Sequence, residues 1–564
     1  MNARNTTTEP GTAGPDLAGP DLAGPARGRR ISRTAAAGTL LGTVALLIAS
    51  CGGTSDAGSQ PGAGTGPVRG GNLNFAISVD RGCIDPQQVG NNDAIAVARQ
   101  TVASLTSQDP KTGEIVPWLA EKFEANKDAT SFTFTLRSGA TFADGTAIDA
   151  QSVKTNFEAI KALGAKATLG STYLSDVSGI TVKDPKTVVV DFAKPNAQFL
   201  QATSTFTLGL LSPASAKLSD ADRCAGKFEG SGPFTVKSYT VDKEAVLERR
   251  EGYAWPAATN SNKGEVYLDT VTFKIIPEAG NRTGSLQSGQ IDATAAISAA
   301  DIKLFDGNGF WKETRANPGV VYNLYSNEST PKLKETAVRQ AISKAINREE
   351  ITKTLLTEAD QPAKGVLSHT TPFFKDFSEL LKFDPDGAKK LLDDAGWKPG
   401  ADGIRAKNGQ RLSFSVTYWQ SPKEVLELVQ QQLKAVGIDL QLKFTTIADV
   451  TAAQANKDYD FSYGNLTRSD PDVLRTVFGA NTARGGSNLR PALPVDTTLG
   501  EQAAALDKNA RQRLVDQAQE ALIKDAHSIP LYELSTTISA SEKVHDLKFE
   551  ASSRLDFYDA WLSK

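Results

Sequence analysis

An α/β fold of more than one domain is what this sequence predicts. The chain runs to 564 residues, several times the usual domain length, so two or three domains and an ample core are expected. Its second half alternates strand-like and helix-like stretches, the pattern of α/β lobes with at least partly parallel sheets. Composition is that of an ordinary globular protein, 40% hydrophobic and 23% charged. Lys plus Arg number 62 and Asp plus Glu 65. That mildly acidic balance, without basic stripes, gives no support to a nucleic-acid partner.

Residues 1–50 predict a leader. Met1 to Ala26 is rich in Gly, Pro and Thr and repeats Gly-Pro-Asp-Leu-Ala at 14–18 and 19–23, a composition that cannot pack a core. Arg27, Arg29, Arg30 and Arg33 then precede an apolar run from about Ala35 to Ala49. That run has the length of a signal-peptide core and falls short of the roughly 20 residues a membrane span needs. Ile48-Ala49-Ser50-Cys51 looks like a lipobox, in which the Cys51 thiol receives the lipid; an uncleaved anchor is the alternative. Arg29-Arg30 leaves the export route open between the general and the twin-arginine pathway. Residues 51–70 then read as the lipidated Cys and a flexible Gly/Ser-rich tether. The other two cysteines, Cys83 and Cys224, are expected outside the cytoplasm, where a disulfide is favoured over two buried thiols. With His369, His527 and His545 as the whole histidine complement and no Cys or His beside either cysteine, a metal site is not expected.

The body of the chain follows in order. Gly71 to Ile77 predicts a first strand, leading through Cys83-Ile84-Asp85-Pro86 to a helix through Val97, Val102 and Leu105. Trp118, Leu119 and Phe123 suggest a short amphipathic turn. In Ser131 to Arg137, Phe132, Phe134 and Leu136 alternate with polar residues as in a half-buried strand. Asp149 opens a helix with Val153, Phe157 and Ile160 on one face. Strands are expected at 180–182, 187–192, 233–236, 245–249 and 271–276, and a helix end at Leu286-Gln287-Ser288-Gly289. In the second half a strand is expected at Val320 to Tyr325, then one helix over Val338 to Ile351. Another helix follows from Pro385, with Gly396 past its end. Leu412 to Tyr418 and Ile438 to Phe444 alternate as strands around a helix at Val425 to Val436. Tyr459-Asp460-Phe461 is expected to precede a polar, flexible stretch to Pro494, and Arg511 to Ala526 to form the last long helix.

Six of these stretches resemble, in order, motifs of the family 5 extracellular solute-binding proteins, the peptide- and nickel-binding receptors of ABC importers. They are Glu114 to Phe157, Gly230-Ser231-Gly232-Pro233-Phe234, Leu286 to Ala293, Val320 to Tyr325, Val338 to Ile351 and Asp384 to Trp397. The resemblance implies a two-lobed type II periplasmic-binding-protein fold with an extra α+β domain inserted in the first lobe. Lobe I would comprise 71–106, 226–321 and 531–564, the extra domain 107–225, and lobe II 322–530. The implied role is an extracytoplasmic receptor, monomeric and anchored by lipid to the outer face of the membrane, that delivers an oligopeptide, a dipeptide or alternatively a nickel chelate or other small solute to a permease. No cofactor and no bond chemistry in the protein are implied.

The resemblance also supplies candidate ligand contacts. Peptide-binding relatives pair a peptide ammonium with an Asp after the strand here containing Tyr459. That position falls on Asp470 or one residue away on Ser469, with Arg468 beside it. Tyr418-Trp419-Gln420 resembles a second hinge region, in which Trp419 could line the cleft or pack in the core. Asn323 and Tyr325 lie on the first crossing strand. An exported serine hydrolase is the competing class, since Ser329-Thr330-Pro331-Lys332 and Lys111-Thr112-Gly113 echo its motifs. Their order is wrong and no Ser-Asp-Asn is present, so no enzyme is expected.

Overall fold

The structure is a computed structural model that describes residues 66–419, 423–480 and 488–564. The leader, Cys51, most of the tether and Gln420 lie outside the described residues.

Asn72–Ile77 forms a strand because Leu73, Phe75 and Ile77 alternate into a core while their neighbours face the other side. It is central in a seven-stranded sheet whose order is 310–316, 535–541, 293–294, 72–77, 270–275, 244–249, 234–240. It runs parallel to both neighbours, and the outer pairs are antiparallel. Phe75 packs on Phe273 and on Phe557, at 5.8 and 5.5 Å between ring centroids, so the C-terminal aromatics close this core.

A four-stranded antiparallel sheet is inserted between these strands, in the order 120–125, 131–136, 187–192, 177–184. Phe132, Phe134 and Leu136 are buried from one face, as their alternation predicts. The helix Ala150–Leu163 covers them. Its first turn is capped by Asp149, whose carboxylate accepts from the Ser152 N–H at 2.7 Å while the Ser152 hydroxyl accepts from the Asp149 N–H at 3.1 Å; a cap of this kind contributes about 1 kcal/mol. Phe199 gathers Phe132, Phe157 and Phe192 around one ring. The hydrophobic core runs without a break from this sheet into the seven-stranded one. The expected turn at Trp118 to Phe123 is corrected here. Ala120–Ala125 is an edge strand in which Phe123 lies opposite Phe134, because Phe123 and Ala125 sit at period 2 among charged neighbours.

Two joints tie the insert to the first sheet. The helix expected to run to Leu105 ends at Ala98 in a single 3-10 turn, and the chain then extends. There the Ser231 hydroxyl accepts from the Ala103 N–H at 2.8 Å and donates to the Leu210 carbonyl at 2.7 Å. The Gly232 N–H donates to the Thr101 carbonyl, and a Cβ on Gly232 would come within 2.4 Å of that carbonyl carbon. The glycine is therefore a requirement of close approach. At the second joint Cys83 and Cys224 form a disulfide. Beside it a buried Arg223 contacts the buried Asp85 carboxylate at 2.7 Å and donates to Gln87 at 2.6 Å.

A separate five-stranded sheet has the order 439–444, 413–418, 461–467, 319–326, 529–532. Strand 413–418 is parallel to both neighbours, and 319–326 is antiparallel to both of its own. Strand 319–326 is buried along its whole length, as a central strand covered on both faces must be. Strand 529–532 runs across the expected boundary at 530/531. The single helix expected over 338–351 is two, Thr336–Ala345 and Arg348–Leu355. The Asn347 side chain accepts from the Glu350 N–H at 3.1 Å and so starts a new helix in place of continuing the old one. Asp384 caps the helix Pro385–Asp394, and Gly396 takes the left-handed conformation at φ +85° past its end. The stretch expected to be flexible after Phe461 contains the strand Phe461–Thr467 and the helix Val473–Phe478, whose Leu474 and Phe478 fill a core of their own.

The chain passes between the two large sheets twice, at Asn317–Pro318 and at Glu533–Leu534. The expected second hinge at 418–420 is thereby corrected, since strand 413–418 lies wholly within the five-stranded sheet.

The disulfide closes a segment of 141 residues, and constraining a loop of that size in the unfolded chain is worth about 2–5 kcal/mol. The Cys83→Ser/Cys224→Ser variant is expected to lose that much stability in urea unfolding. An unchanged midpoint and slope would show that the bond adds nothing to the ion pair beside it.

Candidate functional site

Parallel strands leave their carboxyl ends open for ligands, because the chain departs there in loops and helix starts whose backbone groups are not consumed by the ladder. In this protein such ends from both large sheets face one cleft of about 850 Å³. From the first sheet come Ser78 and Val79, after strand 72–77, and Ala295 and Ala296, after 293–294. From the second come Trp419, after strand 413–418, and Asn465 to Arg468 at the end of 461–467. The crossing at Leu534 to Thr536 and the tail residues Ser553 to Leu555 complete the wall, with Tyr322 at its back.

Charge in the cleft is unbalanced. Asp93 is the one acidic residue among its described lining residues, and that carboxylate accepts from the Ser78 N–H at 3.0 Å, the Ser78 hydroxyl at 2.5 Å and the Val79 N–H at 2.9 Å. It fixes the strand end and has little capacity left. Three arginines line the same space. Arg81 stands exposed at the rim, with no ion pair among the described residues. Arg468 lies over the ring of Tyr173 at 5.9 Å and donates to the Thr467 carbonyl at 3.1 Å. Arg554 donates to the Asn92 side chain. Burial lowers its pKa to about 10, with Glu550 opposing and Arg468 reinforcing the shift, so it stays cationic at neutral pH. Tyr322 stacks on Tyr532 at 4.6 Å, and burial raises its phenol to about 12, leaving it a neutral donor.

Backbone packing sets where Arg468 stands. Gly319 begins the crossing strand at φ +108°, and a Cβ there would fall 2.3 Å from the Leu466 carbonyl oxygen and 2.6 Å from the Arg468 nitrogen. With glycine at 319, the Arg468 N–H reaches the Pro318 carbonyl at 3.0 Å.

Of the residues singled out from sequence, the cleft brings together Trp419 and Arg468. Asn323 is buried away from it, donating to the Ser528 hydroxyl at 2.6 Å and accepting from the Ile529 N–H at 2.7 Å, which pins one strand to the next. Tyr325 packs on Phe478 in a separate core, where burial raises its phenol above the ordinary range. Tyr418 is buried against Phe444. Ser469 is buried outside the cleft, its carbonyl accepting from Gln108 at 3.3 Å. Asp470 also lies outside the lining and does not face a ligand ammonium. Its carboxylate takes both terminal nitrogens of Arg511, at 2.9 and 2.6 Å, with both side chains buried. A buried carboxylate does require a cation, but here the cation is supplied by the chain itself.

Sequence reasoning missed Tyr322, Arg81 and Arg554. Tyr322 is one residue out of phase with the chosen Asn323 and Tyr325, and register irregularities interrupt this strand between 320 and 323, so alternation alone does not give the face. Arg81 and Arg554 lie 473 positions apart and meet only through the fold.

The histidines stand elsewhere. His527 bonds Glu328 at 2.8 Å, His369 bonds Glu533 at 2.5 Å and His545 stacks on Trp561 at 4.1 Å. Among the described residues no group of three or more His, Cys, Asp or Glu could hold a metal ion, and no helix is long and apolar enough to cross a membrane.

Residues 114–487 match the family described as bacterial extracellular solute-binding proteins, family 5 Middle. The nickel-binding periplasmic protein of Escherichia coli (strain K12) is 23% identical over 455 residues, spanning 78% of this chain and 84% of that protein. The oligopeptide-binding protein AppA of Bacillus subtilis (strain 168) is 23% identical over 548 residues, spanning 93% of this chain and 98% of that protein. Among solved structures, NikA from Brucella suis in complex with Fe(III)-EDTA superposes with a TM-score of 0.75 at 24% identity, over 87% of this chain and 100% of that one. The fold these likenesses show is the two-lobed type II periplasmic-binding-protein architecture.

The Asp470–Arg511 pair can be tested by removing one partner. Arg511→Met is expected to cost about 3–5 kcal/mol, because it strands a buried carboxylate. Adding Asp470→Leu should restore most of that loss in urea unfolding. A double variant as unstable as the single would show that the pair does not neutralise itself.

Proposed function

The chain belongs to the family 5 bacterial extracellular solute-binding proteins, and from that premise we propose that it holds a peptide or peptide-like solute between its lobes and releases it unaltered to a membrane permease. It is a substrate-binding protein of an ABC importer and not an enzyme. The observation that carries the finer reading is the cleft itself. Its volume of about 850 Å³ falls within the range of about 300–1,000 Å³ usual for small-molecule sites. Both lobes furnish its walls, and among the described residues two short crossings join those lobes. A solute that touches both walls favours the closed form by its differential affinity for that form, and the closed outline is what a permease can distinguish.

Relatives differ in what their names say they bind, nickel in one case and oligopeptides in another. A nickel chelate remains the second reading, and it would have to bring its own donors, since no His or Cys is among the cleft's described lining residues. The motif remnants of a hydrolase support nothing catalytic. The Ser329 hydroxyl is bonded to Asn327, and Lys332 to the Ser413 carbonyl.

Anchoring is the other part of the reading. A diacylglyceryl group on Cys51 has the two chains that stable attachment requires, and the Gly/Ser-rich segment after it would let the receptor reach a permease. Two outcomes are expected. X-ray scattering should show contraction when a mixture of di- and tripeptides is added; an unchanged radius of gyration, with no rise in melting temperature, would withdraw the solute reading. The Cys51→Ala protein should move from the membrane to the soluble fraction on cell fractionation, whereas its retention would point to an uncleaved apolar anchor.

A further inference from the structure

We propose that the insert acts as a latch: it grips the second lobe outside the cleft and supplies part of the free energy of closing, so that the solute has less to supply. The inference rests on the receptor reading above and deepens it. The hairpin of Thr106–Gln108 and Ile115–Pro117 leads into the insert. Its tip is held in shape by the Asp109 carboxylate, which accepts from the Lys111 and Thr112 N–H groups at 2.8 Å each. The buried Gln108 amide donates to the Gly113 carbonyl in that tip at 3.1 Å and to the Ser469 carbonyl of the second lobe at 3.3 Å. Glu114 pairs with Lys508 of the second lobe at 2.8 Å. Gly113, at φ +73°, stands so close to that lobe that a Cβ on it would come within 2.9 Å of Pro372 Cγ and 3.4 Å of Pro372 Cβ. Further along the insert, the Ala197 N–H donates to the Ala503 carbonyl at 2.7 Å. Ala503 lies in the last turn of the helix Pro494–Ala504, where carbonyls lack a partner within the helix, and the insert provides one.

None of these residues is among the described lining of the cleft, so the contacts add to closing whatever the cleft holds. The insert is fixed to the first lobe by a continuous core, by Ser231 and by the disulfide. The helix that bears Ala503 packs its Val495 and Leu499 into a core of the second lobe. Lobes hinged at 317–318 and 533–534 therefore share a further, noncovalent connection through the insert. Its build limits its strength. Glu114 and Lys508 are exposed, and an exposed pair is weak. A cavity of about 430 Å³ also separates the hairpin tip from residues 369–372 of the second lobe, with Arg315 and Ala551 of the first beside it. A joint of this kind parts without breaking a core. It biases the equilibrium between open and closed lobes, and the apparent affinity for the solute rises with the fraction of protein in the competent form.

The test uses the purified full chain. In the Gly113→Cys/Pro372→Cys variant the two positions stand near the Cβ separation of a disulfide, and a cross-link between them is expected to form with no peptide added, read by mass spectrometry of the linked fragments. X-ray scattering should give that cross-linked protein a smaller radius of gyration than Gly113→Ser/Pro372→Ser, again with no peptide added. Lys508→Glu, a change at an exposed side chain that sets like charges against each other, should raise the concentration of the di- and tripeptide mixture needed for half-maximal contraction about threefold to tenfold. The swapped pair, Glu114→Lys/Lys508→Glu, should restore it. Absence of the cross-link, a cross-linked protein no more compact than the serine variant, or a half-maximal concentration unmoved by Lys508→Glu would each overturn the inference and leave the receptor reading standing. Failure of the receptor reading shows separately, as no contraction of the unaltered chain with the peptide mixture, and the cross-linking measurements, which use no solute, still decide the latch.

Discussion

Two short passages of chain, Asn317–Pro318 and Glu533–Leu534, are the constraint on which the rest of the molecule depends. They lie side by side and are bonded to each other: the Asn317 N–H donates to the Leu534 carbonyl at 2.7 Å, and the Thr536 hydroxyl donates to the Asn317 side chain at 2.8 Å. A pair of strands crossing together can bend and twist while resisting shear, so the lobes it joins can move without losing register. The crossing is also anchored on the second-lobe side. The buried Glu533 carboxylate accepts from the Ser368 hydroxyl at 3.0 Å and from the His369 ring at 2.5 Å, and that bond raises the His369 pKa against the opposing effect of burial. Gly319, just past the first crossing, lets the strand lie against Leu466 and Arg468. A change in the crossing is thus transmitted by backbone contact to a cleft residue.

The cleft follows from topology more than from any special chemistry of its lining. Four of its segments are the natural ends of parallel strands, where the backbone has hydrogen-bonding groups to spare. The antiparallel insert has no such ends in the cleft. Its contribution is to share the first lobe's core and to present Tyr173 beneath Arg468. Fold and cleft lining are therefore separable: the strand ends that form the cleft are set by the sheets, whichever side chains stand on them.

The architecture was legible in the sequence where a single element decides its own form. The alternation of Phe132, Phe134 and Leu136, the cap at Asp149 and the pairing of Pro385 with Gly396 each carry a local physical cause, and each appears as expected. Legibility failed where a competing local bond or a distant partner intervened. Asn347 breaks a helix whose apolar face runs on through it, because its side chain can satisfy the N–H of Glu350. The polar stretch after Phe461 becomes a strand because strands 319–326 and 413–418 stand on either side to pair with it. The candidate site shows the same division. Trp419 follows a strand that its own alternation marks, and it lines the cleft together with Arg468. Arg81 and Arg554 are meaningful only beside each other, and nothing local marks either.

Asp470 makes the deeper point about charge. The expectation that a buried carboxylate must meet a cation is sound physics, and Arg511 supplies that cation from a helix 41 residues further along the chain. What the sequence cannot show is whether such a cation is internal or arrives with a ligand, because the two cases present the same residue in the same setting. The difference lies in what remains after internal pairing is complete. In the region of Asp470 the account closes: Arg511 takes both oxygens of Asp470, and Arg475 contacts both oxygens of Asp472 at 2.8 and 2.6 Å. In the cleft, the Asp93 carboxylate is likewise occupied, by the Ser78 and Val79 donors.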